Sequence, residues 1–133
     1  MSARRVTCFS LSVQHRPGVV AGLARALKQN DVDLTALWGF GMGPGQAQII
    51  CQPTDPAKFR KVASAAGWSV TEGVAFEIAG EDQVGALVDM LDRVAGAGLN
   101  LEAINAVAVA GQYGGCVWAQ KGQETKLEKI LGA

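Results

Sequence analysis

The chain has 133 residues, enough for one ordinary domain or two very small ones. Twelve basic residues balance twelve acidic ones, so the formal net charge is zero, which removes the broad electrostatic case for nucleic acid or an anionic membrane as partner. Three cysteines, Cys8, Cys51 and Cys116, are odd in number and far apart in sequence; they read as buried, reduced thiols of a cytoplasmic protein rather than as disulfides or metal ligands.

Met1-Ser2-Ala3-Arg4-Arg5 is not followed by a long apolar core, so no signal peptide is expected. Arg4 to Val13 predicts a first strand, with Phe9-Ser10-Leu11-Ser12-Val13 alternating apolar and polar. Gln14-His15-Arg16-Pro17-Gly18 breaks the alternation, and Pro17 suits the first turn of a helix. Val19, Val20, Leu23, Ala24 and Leu27 then fall at helical spacing as far as Gln29. A second strand is expected over Val32 to Phe40, with Trp38 and Phe40 in the core or an interface. Gly41-Met42-Gly43-Pro44-Gly45 reads as a hairpin and Ala47 to Cys51 as the third strand. The glycines from Gly39 to Gly45 have neither the dinucleotide spacing nor the Lys-Ser/Thr that a phosphate loop requires. Asp55 is placed to cap a second helix with Pro56 at its first position, Phe59, Val62, Ala63 and Ala66 form its apolar stripe, and Gly67 closes it. Trp68 to Thr71 predicts a fourth strand, which either bends at Glu72-Gly73 or runs on into Val74 to Ala79.

The same pattern then recurs. Gly18 and Gly85 lie 67 residues apart, and at that offset Phe9 falls on Phe76, Leu11 on Ile78, Leu23 on Met90, Leu27 on Val94 and Leu34 on Leu101, with no gap. Strand and helix registers both survive, which marks a duplicated structural unit. In the second copy Asp82 is the expected helix cap. Gly96-Ala97-Gly98 ends that helix, Leu99 to Val109 and Cys116 to Ala119 are strands around a Gly111–Gly115 hairpin, and Gln123 to Leu131 is the last helix. No fourth strand follows it, so the second sheet either lacks a strand or borrows pairing from elsewhere, and an open sheet edge invites another chain. The expected fold class is α+β, with two ferredoxin-like βαββαβ modules over 1–72 and 73–133, each an antiparallel sheet with helices on one face. The longest apolar run, Ala106 to Ala110, is too short to span a bilayer.

Two such modules, each with a polar turn ending in glycine before its first helix, resemble the ACT domain family, and more narrowly small stand-alone proteins of two tandem ACT domains. The resemblance rests on Arg16-Pro17-Gly18 followed by Asn30-Asp31-Val32-Asp33-Leu34-Thr35-Ala36, on Asp82-Gln83-Val84-Gly85 followed by Gly98-Leu99-Asn100-Leu101-Glu102-Ala103, and on Thr54-Asp55-Pro56. The second copy departs in having Gln83-Val84 where the pattern prefers Arg-Pro. The resemblance implies a non-catalytic regulatory module that binds an amino acid or related carboxylate between the first turn of one domain and the second strand of a neighbour. It implies a homodimer, a metabolic enzyme as the regulated partner, and no cofactor.

On the residues themselves, Gln14, His15, Arg16, Pro17 and Gly18 form the candidate turn of the first copy, with Asp33 opening the second strand. Asp82, Gly85 and Asn100 are their counterparts in the second copy. A helix start offers free N–H groups and the positive end of a dipole to a carboxylate, and a glycine lets a ligand approach the backbone. Asp33, expected close to that turn, could meet an ammonium group, and Asn100, its counterpart, could donate and accept toward either end of an amino acid; Arg16 could pair with Asp33 or pin a carboxylate. His15 reads equally as a solvated turn residue, and Asp82 as a plain cap. Catalysis is not expected, because the chain has no Ser/Cys–His pair, no carboxylate dyad and no asparagine placed to orient a water as an acylphosphatase would need. RNA binding is disfavoured because Ala47 to Cys51 lacks the aromatic residues such sheets present. The remaining alternative is a degenerate ACT pair that only dimerises and engages a partner enzyme.

Overall fold

In a computed structural model describing residues 1–133, the elements run β1 (Ser2–Gln14), α1 (Val19–Gln29), β2 (Leu34–Gly41), β3 (Gln46–Pro53), α2 (Pro56–Ala66), β4 (Val70–Glu81), α3 (Val88–Gly96), β5 (Leu101–Val109), β6 (Gln112–Ala119) and α4 (Glu124–Leu131). They build two compact units. One, here the N unit, is Thr7–Gly73; the other, the C unit, is Val74–Ala133 together with Met1–Val6.

The N unit orders its strands β2-β3-β1-β4. β1 runs antiparallel to β3 from Phe9↔Cys51 to Gln14↔Gln46, and β2 runs antiparallel to β3 from Leu34↔Pro53 to Gly41↔Ala47. Phe9, Leu11, Leu23, Leu27, Ile49 and Phe59 are buried at its centre. The Phe9 and Phe59 rings stack at 4.4 Å, with Trp68 6.1 Å from Phe59. α2 begins as its sequence predicts: the Asp55 carboxylate accepts from the Ala57 and Lys58 N–H groups at 3.1 and 3.2 Å, and Gly67 ends the helix at φ 70°.

The C unit orders its strands β1-β4-β6-β5. Its core repeats the first at the expected offset, with Phe76, Ile78, Met90 and Val94 buried where the N unit has Phe9, Leu11, Leu23 and Leu27. No strand follows α4. The fourth position of the sheet is taken by the opening residues of β1, so Met1–Val6, expected in the first module, lie in the C unit instead. Ala3 packs against the C-unit core. Arg4 forms a two-pronged pair with Glu77 at 2.8 and 3.2 Å, and Arg5 reaches Glu128 at 2.8 Å. The reach is available because β1 is longer than the expected Arg4–Val13: its thirteen residues give two units a strand each. β4 does the same, running on without interruption through Glu72-Gly73.

Three local expectations are corrected. Pro17 is not in the first helical turn; Gly18, in the left-handed region at φ 88°, is the cap of α1 and the helix starts at Val19. Asp82 does not cap α3, which begins at Val88 after a stretch of turns. The hairpin in the second copy is Ala110-Gly111 alone, both at positive φ (53° and 80°), the two-residue turn whose twist matches that of its strands. Gly114 and Gly115 therefore lie inside β6. Gly115 is there for close approach: a Cβ on it would lie 2.0 Å from the Asn105 carbonyl oxygen.

Candidate functional site

In the N unit, Gln14, His15, Arg16, Pro17 and Gly18 are all exposed. Gln14 ends β1 opposite Gln46. The His15 N–H donates to the Gly45 carbonyl at 3.1 Å, and its imidazole lies against Gly41, where an added Cβ would come 3.5 Å from Nε2. The turn is thus clasped to the β2–β3 hairpin. The Arg16 N–H donates to Gln14 O at 3.1 Å.

Asp33 is elsewhere. Its carbonyl accepts from the Thr54 N–H at 3.0 Å and from Thr54 Oγ1 at 3.4 Å, beside the Leu34↔Pro53 end of the ladder. The turn lies by Gly41↔Ala47 and Gln14↔Gln46, at the other end. An eight-residue strand separates them by on the order of 20 Å. Within the N unit, then, the structure does not bring Arg16 and Asp33 together. The physical reason is the crossover: α1, eleven residues long, carries the chain about 16 Å back down the sheet before β2 starts. Asp33 instead borders a shallow depression with Lys28, Asp31 and Leu34.

In the C unit two of the three candidates share a site and one does not. Asp82 and Gly85 line a groove of about 360 Å³ with Leu87, Val88, Leu91 and, from β5, Val107. Asn100 precedes the Leu101↔Ala119 pair at the far end of the sheet, while the groove lies near the Glu81↔Gln112 and Val109↔Gln112 end. Gly85 has φ 76° and sits three positions before α3. The Ala86 and Val88 N–H groups are already spent on Gln83 O and Gly85 O at 3.0 Å each, so fewer donors face outward than a helix starting at Gly85 would offer. The groove is chiefly apolar: of its lining, Val107 is 66% exposed, and Val88 and Leu91 are also exposed. Val107 and the other β5 residues were not among the sequence candidates. Their signal is the unbroken run Ala106-Val107-Ala108-Val109 on a strand with no neighbour on its outer side, where a half-buried strand would alternate.

The three cysteines are buried and none forms a disulfide; burial pushes the Cys51 thiol up to about 11. No three His, Cys, Asp or Glu side chains are grouped to hold a metal ion. No helix is long and apolar enough to cross a membrane.

No family model and no curated protein matches the chain. Solved structures do. A Bacteroides thetaiotaomicron protein superposes with a TM-score of 0.86 at 17% identity, covering 98% of this chain and 88% of its own. The ligand-free regulatory subunit of aspartate kinase from Thermus thermophilus gives 0.68 at 13% identity, covering 99% and 95%. The corresponding Thermus flavus subunit gives 0.62 at 13%, covering 99% and 95%. At these identities the likeness is one of fold, and it spans the whole chain: ACT-type, ferredoxin-like modules.

Proposed function

We propose that this chain is a non-catalytic regulatory module that binds an amino acid or related carboxylate at an ACT-type module interface and, as a homodimer, passes the bound state to a metabolic enzyme. The observation that carries the reading is the groove where Asp82 and Gly85 meet the apolar face of Val88, Leu91 and Val107. It pairs one carboxylate, suited to an ammonium, with an apolar bed, suited to a side chain. The aspartate kinase regulatory subunits that share the fold support a regulatory role. In the N unit the corresponding turn is Gln14 to Gly18; Asp33 and Asn100 would act only toward a turn from a neighbouring module, as the ACT resemblance implies.

The test is a thermal-shift and calorimetric screen of the whole chain against the twenty amino acids and several 2-oxo acids. One stabilising ligand is expected, weakened about tenfold by Asp82→Ala, whose side chain makes no hydrogen bond in the fold. A ligand whose affinity ignores Asp82→Ala, Gly85→Val and Gly18→Val would remove the proposed sites.

A specific feature favours the second reading, an interaction module without a ligand. β2 and β5 are the outermost strands of their sheets. β2 has no charged residue and β5 has one, Glu102. Leu37, Phe40, Ile104, Val107 and Val109 are exposed along them. Such edges favour pairing with another chain. A flat ligand screen with a dimer in solution would select this reading.

A further inference from the structure

The first helices of the two copies hold equivalent places in the repeat and carry opposite charge. At the 67-residue offset, 14–29 corresponds to 81–96. The first stretch holds three basic residues, Arg16, Arg25 and Lys28, and no acidic one. The second holds four acidic residues, Glu81, Asp82, Asp89 and Asp92, and one basic residue, Arg93. Their formal charges are therefore +3 and −3. Helix dipoles account for part of the difference, since Lys28 lies in the last turn of α1 and Asp89 in the first turn of α3. They do not account for Arg25 and Asp92, which occupy the same position of the repeat in the middle of their helices. Arg25, Lys28, Asp89 and Asp92 are all exposed. None of them enters an ion pair within the chain, where the pairs are Arg4–Glu77, Arg5–Glu128, Lys58–Asp31 and Arg60–Glu72.

Side-chain size diverges at the same positions. α1 has Ala21 and Gly22 where α3 has Val88 and Asp89, and Ala24 where α3 has Leu91. Val88 and Leu91 are 52% and 38% exposed, so α3 presents an apolar ridge to solvent. Asp92 follows Val88 by one turn and shares its side of the helix, as Arg25 follows Ala21 on α1. α1 is thus small and basic where α3 is large and acidic. Gly22 has no purpose inside the N unit: it is not in the left-handed region, and a Cβ on it would meet nothing within 4 Å. A glycine in a helix interior weakens the helix. A surface that closes on α1 from outside gives the notch a use.

We propose that α1 of one copy of this chain docks on α3 of a second copy, with Arg25 and Lys28 facing Asp89 and Asp92, and Val88 lying over Ala21 and Gly22. The contact presupposes the homodimer proposed above and identifies the faces that form it, and it needs no ligand. Twofold symmetry repeats it as α3 of the first copy on α1 of the second. The other pairings are opposed by charge: α1 on α1 sets Arg25 and Lys28 against their own counterparts, and α3 on α3 does the same with Asp89 and Asp92. Val88 and Leu91 also wall the Asp82–Gly85 groove, so the contact brings a neighbouring module beside it.

The experiment is sedimentation of the whole chain over a range of concentrations, at low and at high salt. A dimer is expected whose dissociation constant rises with salt. Arg25→Glu with Lys28→Glu, and separately Asp89→Lys with Asp92→Lys, should each raise that constant about tenfold at low salt. The four changes combined in one chain restore the attraction with its sign reversed, and should return the constant to within about threefold of the parent value. The combined variant should not form mixed dimers with the parent chain, because each α1 would then face a like-charged α3. Gly22→Leu places a better helix former in open space, so it should raise the melting temperature of the dilute monomer while weakening the dimer. A chain that stays monomeric throughout would overturn the contact together with the homodimer. A dimer indifferent to the charge reversals or to Gly22→Leu, or a combined variant that prefers to mix with the parent chain, would overturn this contact alone and leave the homodimer standing.

Discussion

Cys51 shows how one buried group turns position into pH dependence. It lies fully buried in the N-unit core on β3, and burial raises its thiol from 9.0 to about 11, because an apolar interior disfavours the thiolate. Between those values the folded chain holds a proton that the unfolded chain releases, so stability falls as pH rises through that window. A shift of this size corresponds to about 2–3 kcal/mol by the top of the window. Urea unfolding from pH 8 to 11 should therefore show a declining limb that is shallower in Cys51→Ala; equal slopes in the two proteins would refute the assignment. Residue-scale expectations fared unevenly, for a physical reason. The Asp55 cap was legible because a cap needs only its own helix start. The Asp82 cap was not: Gly85 at positive φ and the turns around it use up the residues before α3.

At the scale of elements, the repeat fixed nearly every strand and helix, because burial at Phe9, Leu11, Leu23 and Leu27 is matched at Phe76, Ile78, Met90 and Val94. What it could not place is the partner of a strand. Pairing is non-local, and the residues that fill the last position of the C-unit sheet lie at the far end of the sequence, in Met1–Val6. The same limit explains why Asp33 and Asn100 were expected beside the turns: spacing along the chain does not say which end of the sheet a crossover returns to. The borrowed strand yields a direct expectation. Deleting Ser2 to Arg5 removes the β1 pairing of β4 in the C unit, together with the Arg4–Glu77 and Arg5–Glu128 pairs. Hydrogen exchange should accelerate in the Val74–Ile78 stretch, while the β2–β3 amides of the N unit remain protected. Unchanged protection across Val74–Ile78 would show that the first residues are dispensable to the sheet.

At the scale of the molecule, two cores are strung on shared strands. β1 contributes Ser2–Val6 to the C unit and Thr7–Gln14 to the N unit, and β4 contributes Val70–Gly73 to the N unit and Val74–Glu81 to the C unit. Each unit draws one stretch of its sheet from β1 and another from β4. Each unit alone is small, and small units bury too little apolar surface to be robustly stable by themselves. Both facts favour one cooperative transition over two. Calorimetry should therefore show a single endotherm whose van't Hoff and calorimetric enthalpies agree. Phe9→Ala in one core and Phe76→Ala in the other, both fully buried residues, should each cost about 3–5 kcal/mol and lower that same endotherm. If Phe76→Ala instead splits the trace, leaving one peak in place and moving another, the units unfold independently and the shared strands do not couple them. Coupling of this kind is also what a regulatory module needs. A ligand bound in one unit can bias the other only through a structural change both units share, and by no more than its difference in affinity between the two arrangements.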